Sequence, residues 1–452
     1  MKLAIVGGGG VRAPLFVQSA IRRADRLGLA EICLLDTDEP QLAVMATLCR
    51  ELARREGSGV TITTTTSADV AFTEVQYVVT TVRPGGAEGR VADEKIARDH
   101  GVLGQETTGA CGFAMALRSI PTILAYARRL RQLSPDAWLF NFTNPAGLVS
   151  QALNDAGIDR CVGICDSANG AQNAIARRLG VETRQVEADL FGLNHLSFTR
   201  RVLVDGKDRL AEALADDAFL AGTNLRVFDP RVVRRQGMWI NEYLYYYYYI
   251  DQALADVGNG PTRGEEVLEL NRQLLSDLRG IDAKQHPDQA LRAYFAYEHR
   301  RSGSYMQHAT QIHADAPVEH APTADDGEGY AGVALDLMEA LEGRVELRTG
   351  LNVVNHGAIT DLRDDDVVEV SCIVNADGIH PIATGPMPDE QSYLIQSVKH
   401  YERLTSRAVL TRDRSLAIDA LVAHPLILSY SRAEPLVDAF LAAHPAYSEG
   451  WQ

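Results

Sequence analysis

Two short stretches hold residue types that could do chemistry together. Val162-Gly163-Ile164-Cys165-Asp166-Ser167 is an apolar run ending in a thiol and a carboxylate, and Phe191-Gly192-Leu193-Asn194-His195-Leu196-Ser197 holds an imidazole near a strand. The first has the pattern of a buried strand whose last residues emerge at the carboxyl edge of a sheet, where open α/β folds place ligands. Cys165 is a soft metal ligand and His195 a borderline one. Two such ligands leave coordination positions open for a substrate's oxygens, which suits a catalytic centre better than a structural one. Each residue alone has an ordinary account, since free cysteines are mostly buried and a histidine near a strand is mostly just hydrogen-bonded.

The elements that must position this pair begin at the amino terminus. Residues 1–36 read as a strand (2–6), the turn Gly7-Gly8-Gly9-Gly10, an amphipathic helix starting at Val11, and a second strand closing at Asp36. Glycines let the backbone turn sharply and approach a pyrophosphate, whose charge is met by the amides and dipole of the following helix. A carboxylate at the end of the second strand accepts hydrogen bonds from both ribose hydroxyls and repels a 2'-phosphate, so NAD is expected over NADP.

The alternation continues with a helix over 41–55 and strands over 60–65 and 77–82. Arg83-Pro84-Gly85-Gly86 follows on the ligand edge, where Arg83 is either a cation aimed at substrate or a solvated loop arginine. Arg90, Asp93 and Glu94 lie on a short polar helix and are expected on a solvated face. The loop Gly104-Gln105-Glu106-Thr107-Thr108-Gly109-Ala110-Cys111-Gly112-Phe113 is too polar for packing alone and suggests ligand contact ahead of a helix over 118–132. A strand over 138–142 leads into Asn141-Phe142-Thr143-Asn144-Pro145, where Asn144 either caps the next helix or meets ligand.

The sixth strand carries Cys165, and the run 185–195 closes a doubly wound parallel sheet near residue 192. Beyond residue 200 the pattern turns to helices over 234–255, 262–278, 332–341, 393–410 and 416–423, with strands over 345–355 and 367–374. The expected architecture is therefore α/β: a Rossmann-like domain over 1–192, then an α+β domain over 193–452 that completes the site and the oligomer. The tyrosine run over 245–249 reads as packing.

Composition sets outer bounds. The 452 residues, 46% hydrophobic and 23% charged, describe a globular chain large enough for two domains. A formal charge of -16 argues against nucleic acid or an anionic membrane as the main partner. The six cysteines lack finger spacing and fit reduced thiols in a cytoplasm. No membrane span or secretory signal is expected.

Taken in order, the opening glycines with Ala13-Pro14, "RPGG", "GQETTGACGF", "ALRSIP", "NFTNPAG", "VGICDS", "FGLNHLSF", "NEYLYYYYY", "TRGEEV" and "YERLT" resemble glycoside hydrolase family 4, the NAD- and manganese-dependent glycosidases. The resemblance covers most of the chain and is nearest in pattern to the 6-phospho-β-glucosidases. It implies a fold related to lactate and malate dehydrogenases, and dimers or tetramers.

It also implies roles. Cys165 and His195 would hold the divalent metal, Tyr243 would be the base and Asp166 the acid. Gly7, Gly8, Gly9, Gly10, Val11, Asp36, Thr81 and Asn141 would meet NAD. Arg83, Glu106, Asn144, Asn194 and Arg263 would meet a small glycoside, with Arg83 or Arg263 holding a 6-phosphate. The implied chemistry is transient oxidation of the third sugar carbon, loss of the proton on the second, elimination of the aglycone, addition of water and return of the hydride. Asp166 departs from the β-type pattern and resembles the phospho-α-glucosidases, and Cys111 stands where the family has glycine. A dehydrogenase of the malate or lactate type and an inactive NAD-binding sensor are the alternatives.

Overall fold

Uninterrupted apolar runs set the centre of the structure, a computed structural model that describes residues 1–257, 260–303 and 329–452. Six strands pair in parallel in the order β3-β2-β1-β4-β5-β6: β1 (Lys2–Val6), β2 (Glu31–Leu35), β3 (Thr61–Thr65), β4 (Tyr77–Thr80), β5 (Trp138–Asn141) and β6 (Cys161–Gly163). Leu3, Ala4, Ile5, Val6, Val78, Val79, Leu139 and Phe140 are fully buried, as expected of a parallel sheet covered on both faces. The threonine-rich β3 lies at the edge and is partly exposed. This is the doubly wound sheet expected from sequence, with its ligand edge at the carboxyl ends of the strands.

Beyond β6 the chain does something the sequence reading missed. β7 (Val186–Leu193) and β8 (Leu196–Val204) form a hairpin, β9 (Lys207–Asp208) pairs with β8, and β10 (Trp239–Ile240) joins them in a second sheet. The later strands β11 (Leu347–Val354), β12 (Val367–Asn375) and β13 (Gly378–Pro381) return to the first sheet, antiparallel, and extend it to nine strands. They were expected as part of a separate α+β unit, and the expected boundary at 192 falls inside β7. The physical reason is edge protection: β6 would otherwise present unpaired backbone groups, and β11 covers it at the single register pair Asn352↔Gly163.

Other local expectations change with tertiary context. The segment 234–255 is not one helix: Pro230–Gln236 ends at Gly237 in the left-handed conformation, β10 follows, and Tyr245–Tyr248 and Ile250–Val257 are separate turns of helix. Of the tyrosine run, Tyr245 and Tyr246 are buried, and Tyr245 stacks on Tyr249 with ring centroids 5.1 Å apart. The helix Gly86–Asp99 is not solvated along its charged face: Arg90, Asp93 and Glu94 are all buried. Asp93 meets the fully buried Arg118 at 2.6 Å and His444 at 2.6 Å, and Arg118 Nε donates to the Pro84 carbonyl. Asn144 does not cap Ala146–Asp155, whose N-cap is Pro145. Cys111 is buried in the helix Gly109–Leu133 and does not line the ligand cavity. That helix is long and apolar enough to cross a bilayer, but its apolar stretch is mostly packed inside the protein.

Candidate active site

Along the carboxyl edge of the sheet runs one cavity of about 1460 Å³, lined by Gly7, Gly10, Val11, Asp36 and Thr81 at one end and by Cys165, Asp166, His195 and Tyr243 at the other. Ordinary small-molecule pockets hold roughly 300–1,000 Å³, so this space suits a dinucleotide together with a second ligand. At the first end the backbone does the shaping. A Cβ on Gly8 would sit 2.6 Å from the Leu34 Cβ, and one on Gly10 would sit 2.9 Å from the Gly7 carbonyl, while Gly7 has φ +99°. Asp36 is half-buried at the tip of β2; its Oδ2 accepts from the Gly9 amide at 2.9 Å and its Oδ1 from the Asp38 amide at 3.2 Å, fixing the carboxylate at the cavity. Gly8, Gly9 and Asn141 stand behind the lining. Asn141 is fully buried, accepts from Thr80 Oγ1 at 2.9 Å and donates to the Thr143 carbonyl at 3.1 Å, so it shapes the loop after β5 from inside.

At the other end side chains do the work. Cys165 follows β6, and His195 sits at the β7–β8 turn in the left-handed region, φ +63°. A non-glycine residue in that conformation costs on the order of 1 kcal/mol and is kept where the surroundings impose it. Cys165 Sγ and His195 Nε2 are 3.5 Å apart. A cation bonded to sulfur at about 2.3 Å and to nitrogen at about 2.1 Å holds the two atoms roughly 3.5 Å apart at a tetrahedral angle.

The other ring nitrogen fixes the tautomer. Thr107 Oγ1 donates to Gln105 Oε1 at 2.9 Å, so at 3.1 Å from His195 Nδ1 it is placed to accept that N–H, leaving the Nε2 lone pair facing Cys165. Burial holds the imidazole down at about 4, hence neutral and able to ligate at neutral pH. Burial first, then the carboxylates of Asp166, Glu369 and Glu242, push the Cys165 thiol well up. A divalent cation is the group that would reverse that. Among the described residues no cluster of three or more His, Cys, Asp or Glu is placed to hold an ion, which leaves coordination positions beside Cys165 and His195 open to further oxygen donors. The donors present therefore fit a divalent metal, as the glycine turn and Asp36 fit a dinucleotide.

Tyr243 lies flat on His195, with ring centroids 3.7 Å apart and planes within 3°. Its place is set by Asn241, whose Oδ1 accepts the Tyr243 amide at 3.0 Å just after β10. A wall of paired charges lines part of the cavity. Glu106 bridges Arg83 at 2.5 Å and Arg90 at 2.8 Å, and Arg90 also meets Glu94 at 2.6 Å. Burial opposes ionisation of Glu106, but Arg83 and Arg90 bring it down to about 2. Arg263, at the start of a helix capped reciprocally by Thr262 and Glu265, reaches the same wall and meets Glu266 at 3.3 Å. Asn144 lines the cavity. Asn194 does not: its amide donates to Glu369 at 3.1 Å and its oxygen accepts from the Gly147 amide at 3.4 Å. Arg301, which lines the cavity, was not singled out from sequence, whereas the polar 104–113 loop signalled Thr107, the "NEYLYYYYY" stretch signalled Glu242, and Arg90 was expected on a solvated face.

The family described as "Family 4 glycosyl hydrolase" matches residues 2–181, and its C-terminal domain matches residues 190–427. The chain is a family 4 glycosyl hydrolase. It is 29% identical over 461 residues to the 6-phospho-beta-glucosidase of Escherichia coli, covering 98% of this chain and 95% of that protein. The structure of the 6-phospho-beta glucosidase from Thermotoga maritima with manganese, NAD+ and glucose-6-phosphate is 26% identical, with a TM-score of 0.82 and 99% of each chain covered. The 6-phospho-alpha-glucosidase of Leptotrichia buccalis is 25% identical over 98% of this chain and 97% of its own.

In this family 4 glycosyl hydrolase Asp166 is exposed at the cavity lip, its Oδ1 3.9 Å from Cys165 Sγ. Ser167 Oγ donates to Glu242 Oε1 at 2.7 Å, tying the turn after Cys165 to the residue before Tyr243.

Proposed function

We propose that the chain hydrolyses 6-phospho-β-glucosides with NAD and a divalent cation, manganese in the first instance, as cofactors. What supports this above all is that a dinucleotide-shaped glycine turn and a thiolate–imidazole pair open into one cavity, so that a single sugar can face both. When bound, NAD supplies a hydride acceptor and the cation a Lewis acid for the sugar's oxygens. Asp36 selects the unphosphorylated ribose. Cys165 Sγ and His195 Nε2 would hold the cation, with Thr107 keeping the imidazole in the ligating tautomer. Tyr243, whose ring stacks on His195, would take the proton from the second sugar carbon through its Oη. Asp166, open to the cavity lip, gives a proton to the leaving oxygen. Arg83 and Arg263 face the 6-phosphate as charge-assisted donors, with Asn144 on the sugar hydroxyls. The free cysteines suit a reducing cytoplasm. A dimer or tetramer is the expected assembly.

Asp166 favours one rival, since it matches the phospho-α pattern. The test is hydrolysis of the four p-nitrophenyl glucosides, α and β, with and without 6-phosphate, under reducing conditions with NAD+ and Mn2+. The 6-phospho-β substrate is expected to turn over without net NADH. Preferential turnover of the 6-phospho-α substrate would move the assignment to the α type, and net NADH would make the chain a dehydrogenase.

A further inference from the structure

Glu369 belongs to β12, far along the chain from either proposed metal ligand, and is fully buried. Its Oε1 accepts two amides, from Asn194 at 3.1 Å and from Asn352 at 3.1 Å. Asn194 is the residue before His195, and its own oxygen receives the Gly147 amide at 3.4 Å. Asn352 sits opposite Gly163 in the β11–β6 register and donates to the Gly163 carbonyl at 3.4 Å, two residues before Cys165. The packing leaves no slack there: a Cβ on Gly163 would stand 2.8 Å from the Asn352 Cβ, and one on Gly147 would stand 2.8 Å from the Asn194 Cβ. One carboxylate oxygen thus links, through two asparagines, the end of β6 that presents Cys165 and the hairpin tip that presents His195. The other oxygen, Oε2, is buried without a hydrogen-bond partner among the described residues. Burial pushes this carboxyl up to about 7, against Ser197, Asn194 and Asn352. A fold gains little from a half-satisfied acid in its interior, and removing it for an apolar residue is often neutral when its partners are also replaced.

Resting on the cation site proposed above, we infer that Glu369 is a positioning residue for that site. By holding Asn194 and Asn352 it sets the 3.5 Å separation of Cys165 Sγ and His195 Nε2 that a cation requires. It does not line the cavity. The strands β11 to β13 are therefore more than cover for the sheet edge: they bring the residue that locks the two donors in place.

The experiment measures Mn2+ binding to the whole protein by the loss of the free-ion electron paramagnetic resonance signal, with NAD+ binding followed in parallel by tryptophan fluorescence. The set is the parent, Glu369→Gln, Glu369→Ala, Asn194→Ala and Cys165→Ser. Outer partners of metal ligands are worth about 10- to 100-fold in affinity. Glu369→Ala and Asn194→Ala are expected to weaken Mn2+ binding by that factor with NAD+ binding unchanged. Glu369→Gln, which keeps an oxygen acceptor for both asparagines, should return Mn2+ affinity to within about threefold of the parent by the same measure. Should Glu369→Ala fail to fold, Asn194→Ala and Glu369→Gln decide. Parent-like Mn2+ affinity in Asn194→Ala, or in a folded Glu369→Ala, would overturn the inference. Cys165→Ser separates the two claims: if it leaves Mn2+ binding intact, the cation site itself is wrong.

Discussion

The two ends of the cavity are built on different principles. The cofactor end is contiguous in sequence: Gly7 to Val11 and Asp36 come from one strand–turn–helix–strand unit, and contacts too close for any side chain shape it. The proposed metal and sugar end is assembled from β6, the β7–β8 hairpin, the 104–108 loop, the turn after β10 and the start of the Arg263–Gly280 helix, and it is shaped by side chains held by other side chains. A backbone-built site depends on a few glycines, whereas a side-chain-built site depends on every member of its network.

If that division is right, damage should stay on its own side. Cys165→Ser and His195→Ala, each removing a proposed metal donor, are expected to abolish Mn2+ binding and cut turnover about 10³-fold or more, the scale of several kcal/mol of lost charge stabilisation. NAD+ affinity, read by fluorescence titration, should stay within about twofold of the parent, well under 1 kcal/mol. Loss of NAD+ binding in either variant would erase the division. The reciprocal change, Asp36→Ala, should weaken NAD+ about 10- to 100-fold, the worth of hydrogen bonds to a charged group, and narrow the gap to NADP+ while Mn2+ binding is unaltered.

A smaller effect concerns acid. Behind the 104–109 loop lies a second buried imidazole, His424, 3.4 Å from Tyr247 Oη and close to Gly109. Burial lowers it from 6.5 to about 3. Between those values the unfolded chain binds the proton that the folded one refuses, so this contribution to stability is whole above pH 6.5 and declines as pH falls through the window. The slope is about 1.4 kcal/mol per pH unit for one proton. Thermal melts of the metal-free protein from pH 7.5 to 5 should show a shallower decline for His424→Phe than for the parent. An unchanged slope would mean that the imidazole is charged in the fold or already neutral in the unfolded chain.

Legibility in the sequence followed the same line. The parallel sheet, the glycine turn and Asp36 could be read because apolar runs and turn chemistry are local. Cys165 and His195 could be named as a pair only from the residues around them, and their separation is a matter of tertiary structure, His195 standing on the β7–β8 turn and Cys165 just after β6. Arg90 and Glu94 look like a solvated i,i+4 pair until Glu106 and the Gly264 amide arrive from elsewhere. The same holds for Asp93, whose partners are Arg118 and His444. The family resemblance put Asn194 on the glycoside, yet its side chain faces inward to Glu369, which no local pattern marks.

The account turns on one sugar meeting both ends of the cavity at once. Hydrolysis of p-nitrophenyl 6-phospho-β-glucoside in D2O, with NAD+, Mn2+ and reductant, tests this most directly through the isotope content of the released glucose 6-phosphate. Deuterium at the carbon next to the anomeric centre is the predicted result. Turnover that leaves that carbon fully protiated would contradict it.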